Sequence, residues 1–137
     1  MNQILAVSGS MNIENKTVLV TGSTDGVGRL VARRLADQGA RVLTHGRDRT
    51  RGERLLKEIR TAHHGSATFL PADFSSLAQV HRLADTVRQE CDRLDILINN
   101  AGIGSAGSAG QDGHELRFAV NYLISPDSYS PGLCCPF

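Results

Sequence analysis

An α/β fold built on a parallel sheet is predicted by two features: short β-branched runs alternate with amphipathic helical stretches, and a glycine-rich turn directly follows the first run. Thr17-Val18-Leu19-Val20 reads as the first strand, apolar throughout as a strand buried on both faces should be. Val27, Leu30, Val31 and Leu35 then recur at helical spacing, with Gly39 where a helix C-cap is expected. Arg41 to His45 reads as a second strand, and Leu55, Leu56 and Ile59 line a second helix opened by a Thr50-x-x-Glu53 capping box and broken at Gly65-Ser66. Ala67 to Pro71 is the third strand. Leu77, Val80, Leu83, Ala84, Val87 and Cys91 form the apolar face of a third helix, with Ser76-x-x-Gln79 as its start signal, and Leu94 to Ile98 is the fourth strand. Gly102 to Gly113 is too rich in glycine, serine and alanine to pack and reads as a loop. Asp112-x-x-Glu115 then opens a helix through Leu116, Phe118, Ala119, Val120, Tyr122 and Leu123.

Composition narrows the function. With 137 residues, 40% apolar and 21% charged, the chain is of single-domain size and can bury a core. A net charge of +1, with no run of five like charges, argues against nucleic acid as partner. No stretch is apolar and long enough for a membrane span, and the first ten residues lack the features of a secretory signal, so neither membrane nor export is expected and the default compartment is the cytoplasm. Three cysteines, two of them adjacent at Cys134 and Cys135, form neither a disulfide framework nor a metal site; they read as reduced thiols, with Cys91 in the core, and no metal is expected.

Chemistry begins at the glycine turn. Thr21-Gly22-Ser23-Thr24-Asp25-Gly26-Val27-Gly28 follows a buried strand and opens a helix, the context in which such a motif binds phosphate. There the backbone turns sharply, approaches a pyrophosphate without intervening Cβ atoms and points helix N–H groups at the anion. Taken alone, the glycines could merely shape the turn, and their GxxxGxG spacing is not the GxGxxG of the general dinucleotide fingerprint.

Four features in order, TGxxxGxG after the first strand, Asp73 after the third, Asn99-Asn100-Ala101-Gly102 after the fourth and Asn121 in the next helix, resemble the short-chain dehydrogenase/reductase family. The resemblance covers roughly Lys16 to Leu123, and Phe118 to Leu123 with the Ser75-Ser76-Leu77 opening looks most like retinol-dehydrogenase-like and related bacterial members. It implies an NAD(P)-dependent oxidoreductase that moves hydride between the nicotinamide and an alcohol or carbonyl substrate. It also implies a Rossmann-like doubly wound sheet, here incomplete at about four strands in the order 3-2-1-4, with right-handed crossovers and helices on both faces.

Carried over residue by residue, the resemblance implies that the turn of Gly22, Ser23, Thr24, Asp25, Gly26, Val27 and Gly28 holds the cofactor pyrophosphate. Asp73 and Phe74 would flank the adenine, Asn100, Ala101 and Gly102 would pass the ribose, and Asn99 would tie the central strands. Each has a plainer alternative: Asp73 as a carboxylate near a helix start, Asn99 and Asn100 as turn formers. Cofactor choice turns on the end of the second strand, where an acid would bind the ribose 2′-OH of NAD. That position falls on Gly46, and Arg47 follows, which favours NADP over NAD unless Arg47 is only a solvated loop cation and Asp25 repels the 2′-phosphate.

Asn121 matches the first member of the family's Asn-Ser-Tyr-Lys catalytic group, in which a lysine four residues after the tyrosine lowers the tyrosine pKa. Here the only tyrosines are Tyr122 and Tyr129, followed four residues on by Pro126 and Leu133, and the last lysine is Lys57. The chain as given is therefore expected to lack turnover; the alternative reading is a non-catalytic dinucleotide-binding fragment. Three of the four prolines fall between residues 126 and 136, so 124–137 is expected to be an aberrant tail, the product of a frameshift, a splice or a fragment. Residues 11–123 are the expected nucleotide-binding domain, and 1–10 a disordered extension ahead of a family-like start at Met11.

Overall fold

A computed structural model describes residues 12–62 and 65–102. The N-terminal extension, the helix opening at Asp112, Asn121 and the 124–137 tail lie outside the described residues. Within them the chain runs β1 (Thr17–Val20), α1 (Gly26–Asp37), β2 (Arg41–Gly46), α2 (Arg49–Ala62), β3 (Ser66–Pro71), α3 (Leu77–Glu90) and β4 (Ile96–Ile98). The four strands form one parallel sheet in the order β3-β2-β1-β4, the order the sequence predicts.

Alternation along the strands divides the interior in two. Leu19, Leu43 and Leu70 face α3, where Val80, Leu83, Ala84 and Val87 cover them. Val18, Val20 and Val42 face the other way, onto Ala32 and Ala36 of α1 and Leu55 and Ile59 of α2. Because both faces are covered, the central strand β1 is buried along its whole length, as a parallel strand between two helix layers should be.

Local signals set most boundaries. The C-terminus of α1 is a Schellman closure: Gly39 takes φ +86°, its N–H donates to the Ala36 carbonyl, and the Ala40 N–H reaches back to Leu35. β4 begins at Ile96, later than predicted; just before it Asp95 is tied to Thr17 twice, its N–H donating to the Thr17 carbonyl and its carboxylate accepting from the Thr17 N–H, both at 2.9 Å. The start of α2 also differs from expectation. Its first turn is closed by Asp48, whose carboxylate accepts from the Arg51 N–H at 3.1 Å, so Thr50 lies inside the helix and no capping box forms there. At α3, Ser76 is the N-cap but makes no side-chain cap bond, and Gln79 accepts from the Asp73 N–H at 2.8 Å instead of closing the box. Cys91 is half-buried at the end of α3, packed on the core edge without entering it. Among the described residues no helix is long and apolar enough to cross a membrane.

The face of α1 departs in part from the sequence expectation: Val31 and Leu35 pack against the core as expected, but Val27 and Leu30 do not. Val27 and Leu30 are 70% and 51% exposed, whereas Gly28, Ala32 and Ala36 are buried. Small residues let the helix approach the sheet closely, and close packing leaves no room for added methylenes. Leu30→Ala should therefore change unfolding free energy by no more than about 0.5 kcal/mol. Ala32→Leu, which adds apolar bulk at a fully buried position, should cost about 1–3 kcal/mol. Urea unfolding of the two variants checks the contrast.

Candidate functional site

The site forms at the C-terminal ends of the strands, where parallel α/β sheets bind ligands. As the chain leaves β1 it makes a turn that Gly22 permits for two reasons. Its φ is +62°, and a Cβ there would stand 2.8 Å from the Ala101 Cα. Gly28, one turn into α1, faces the same crossing, where a Cβ would run into the Gly22 carbonyl and the Asn100 side-chain nitrogen. Asp25 caps the helix, its carboxylate accepting from the Gly26 N–H at 2.8 Å.

Thr21 holds this crossing together. Its hydroxyl is fully buried and accepts from the N–H groups of Asn100 and Ala101, both at 3.0 Å, while lying 3.2 Å from the Asn99 side-chain oxygen to which it donates. Asn100 returns the contact, its side-chain nitrogen donating to the carbonyls of Thr21 at 3.2 Å and Gly22 at 3.1 Å. The Asn-Asn-Ala-Gly segment after β4 is thereby fastened to the glycine turn.

From β2 comes His45, only 3% exposed. Its Nδ1 accepts from the Gly22 N–H at 3.0 Å, so the proton sits on Nε2, which donates to the Ala72 carbonyl at 3.0 Å. The ring stacks on Phe74 with centroids 4.2 Å apart. Burial lowers the His45 pKa to about 4, against the opposing pull of the Ala72 carbonyl and the Asp73 carboxylate, and the imidazole is neutral at physiological pH. Ser23, fully buried, clamps the same strand end: its N–H donates to the His45 carbonyl at 2.8 Å and its hydroxyl accepts from the His45 N–H at 2.9 Å.

These segments enclose a hollow of about 310 Å³. Of the residues that the sequence assigns to a cofactor, Gly22, Thr24, Asp25, Arg47, Asp73, Phe74, Ala101 and Gly102 all line it. Ser23, Gly26, Val27, Gly28 and Asn100 do not. Ser23, Gly28 and Asn100 instead hold the turn in place, Gly26 is the first residue of α1, and Val27 is exposed beside it. His45 and Gly46 line the hollow without having been singled out as binding residues, and neither was the Thr21 hydroxyl. The one sequence signal for His45 is an imidazole near the C-terminal end of a strand.

Charge is distributed unevenly around the rim. Asp25 is paired with Arg51 at 2.9 Å, and Arg51 also approaches Asp48 at 3.6 Å. Arg47 has no carboxylate partner among the described residues. A neighbouring hollow of about 390 Å³ shares Arg47 and Asp73 and adds Arg49 and Arg82, so the outer side of the site is basic. At Gly46 a Cβ would stand 2.5 Å from the Thr24 methyl. Among the described residues no group of three His, Cys, Asp or Glu side chains could hold a metal ion.

A parallel sheet flanked by helices, with a glycine turn and an asparagine-rich arm meeting at its C-terminal edge, defines a Rossmann-like domain. The sequence pattern of the short chain dehydrogenase family matches residues 16–121, and the chain belongs to that family. It is 37% identical to human retinol dehydrogenase 13 over 122 residues, covering 86% of this chain and 36% of that protein. Among solved structures it resembles a metagenomic short-chain oxidoreductase in complex with NADP, at 29% identity and a TM-score of 0.74 over 86% of this chain and 54% of the other. L-sorbose reductase from Gluconobacter frateurii, solved with NADPH and L-sorbose, shares the fold at 24% identity and a TM-score of 0.78, covering 90% of this chain and 48% of that one. The chain spans 30 to 39% of the length of the first curated relatives it matches.

The buried imidazole couples folding to pH. Above about pH 6.5 the ring is neutral in both folded and unfolded chains and adds no pH dependence. Between about 6.5 and 4, the unfolded chain binds a proton that the folded ring refuses, so stability falls as pH falls, by on the order of 3 kcal/mol across the window. Urea unfolding at intervals from pH 7 to pH 4.5 should show this slope in the native chain and lose its His45 share in His45→Gln.

Proposed function

We propose that this chain is the cofactor-binding part of an NAD(P)-dependent oxidoreductase acting on an alcohol or carbonyl compound, and that its site takes NADP in preference to NAD. The observation that carries the reading is the convergence of the Gly22 turn, Arg47, Asp73, Phe74 and the Ala101-Gly102 backbone on one hollow. The residues fit such a ligand. Gly22 and Gly28 keep side chains away from the crossing, and apart from the Asp25 cap, whose carboxylate accepts from the Gly26 N–H, the first turn of α1 carries no acid.

The division of labour follows from position. The turn from Gly22 to Gly28 would hold the pyrophosphate, with Thr24 and Asp25 at the wall and Ser23 fixing the backbone from behind. Asp73 and Phe74 would bound the adenine, and Asn100, Ala101 and Gly102 the ribose toward the nicotinamide. When bound, the nicotinamide supplies or accepts hydride. Arg47 would meet the 2′-phosphate, and the Arg51 partner of Asp25 removes the objection that this carboxylate would repel it. A side chain at Gly46, where an acid would recognise the NAD ribose, collides with Thr24. The NADP bound in the solved relative supports the same choice.

Asn121 remains the assigned catalytic residue and lies outside the described residues. The proposal for this chain concerns cofactor binding, the part of the reaction that its described residues carry.

Nucleotide fluorescence in a titration with NADPH should saturate, and NADH should bind more weakly. Arg47→Ala should cost NADPH about 10- to 100-fold in affinity, the worth of a charge-assisted hydrogen bond, and leave NADH unchanged. Gly28→Ala should abolish binding of both. Tighter binding of NADH than NADPH would overturn the cofactor assignment, and no binding of either would overturn the reading as a whole.

A further inference from the structure

We propose that His45 is the positioning residue of the cofactor site, using both ring nitrogens at once to fix the separation between the pyrophosphate turn and the adenine wall. The inference rests on the reading of the hollow as a dinucleotide site. It concerns a residue to which neither the motifs nor the resemblance gave a role.

The geometry requires an imidazole. Gly22 belongs to the turn after β1, and Ala72 to the segment that leads from β3 into Asp73 and Phe74. His45 stands between them on β2 and bridges the two through Nδ1 and Nε2, each at 3.0 Å. No other neutral side chain presents an acceptor and a donor on opposite edges of one rigid ring. Asparagine keeps an acceptor on the near side, and glutamine keeps a donor at the far side, but neither spans both. Orientation is fixed independently: Phe74 stacks on the ring, and the Ser23 hydroxyl and N–H hold the backbone of His45 itself. The bridge therefore reports the position of one wall to the other.

Only the neutral ring can make the bridge. An imidazolium carries N–H on both sides, so Nδ1 would oppose the Gly22 N–H, and the contact with the turn would break. The charged groups around it do not supply a substitute. Asp73 follows Ala72 on the β3 side, Arg47 lies two residues on, just past the end of β2, and Asp25 on the turn side is held by Arg51.

A ligand that touches both walls should feel the bridge, and a ligand confined to one wall should not. The native chain, His45→Asn and His45→Gln are titrated at pH 7.5 with NADPH and with adenosine 2′-monophosphate as a probe of the adenine wall alone. NADPH should weaken about tenfold in both variants, the worth of one hydrogen bond to a positioned group, while adenosine 2′-monophosphate binds as to the native chain. Equal losses for NADPH and the one-wall probe would mean a merely structural residue and overturn the proposal, as would unchanged NADPH binding in folded variants. Failure of the native chain to bind NADPH sinks the dinucleotide reading itself, and the proposal with it. Should the variants not fold, nitrogen-15 spectra of the native imidazole decide. The Nε2–H tautomer, bonded at Nδ1 and persisting through pH 6, is expected, and an Nδ1–H tautomer or an imidazolium at pH 7 overturns the proposal.

Discussion

Everything at this site depends on how closely two backbones cross, that of Gly22 and that of Ala101. A Cβ on Gly22 would lie 2.8 Å from the Ala101 Cα, so the crossing exists only because position 22 is glycine. Such proximity would leave half-buried N–H and carbonyl groups at the crossing without partners. Thr21 prevents this, its one hydroxyl accepting from two consecutive backbone N–H groups on the far side. Asn100 does the reverse, donating to two consecutive carbonyls on the near side. A threonine and an asparagine thus satisfy the polar groups that two glycines and an alanine bring together, and the floor of the hollow is the result.

The small face of α1 belongs to the same constraint. Gly28 packs under the Gly22 carbonyl, and Ala32 and Ala36 continue the contact along the sheet, so the helix axis sits low over β1 and β2. Larger residues on that face would lift the helix and carry its N-terminus away from the turn. Leu30 is left outside because the approach is so close, and the apolar area it exposes is offset by the contact made beneath it. α3 has no such demand on its side of the sheet. It buries Val80, Leu83 and Val87, an ordinary apolar stripe, and its period reads directly from the sequence.

That difference explains what could be read in advance. The strand order is what the family resemblance implies, while the bounds of β1, the cap at Gly39 and the glycine turn follow from periodicity and from the backbone demands of individual residues, all of which are local. The buried face of α1 does not, since hydrophobic spacing says which residues are apolar and not how near the sheet will come. His45 was illegible for a related reason: a histidine in a strand has no pattern of its own, and its importance comes from Gly22 and Ala72, at sequence separations of 23 and 27. Gln79 looked like half of a capping box and instead bonds the Asp73 N–H, because Asp73 lies close enough to compete. Three of the residues that the family pattern associates with a cofactor act on the hollow from behind: Ser23 clamps β2, Gly28 admits the helix and Asn100 satisfies carbonyls. A motif records all residues that the geometry needs, whether or not they reach the ligand.

The end of β2 shows how one packing contact carries into electrostatics. Gly46 and Thr24 are mutually dependent: with Thr24 present, a Cβ at position 46 would be 2.5 Å from its methyl and 2.6 Å from its hydroxyl. An acidic side chain at that position would have to displace Thr24, which is part of the turn itself, and would disturb the wall it was meant to serve. The acid is thus excluded sterically before any question of charge arises. What remains at the rim is Asp25, neutralised by Arg51, and Arg47, with no carboxylate partner among the described residues. The ion pair is exposed and adds little to stability, as solvent-facing pairs do. Its significance is positional: with Asp25 paired, Arg47 is left to face the extra phosphate of the proposed ligand, while the Asp73 carboxylate stands at the end of β3.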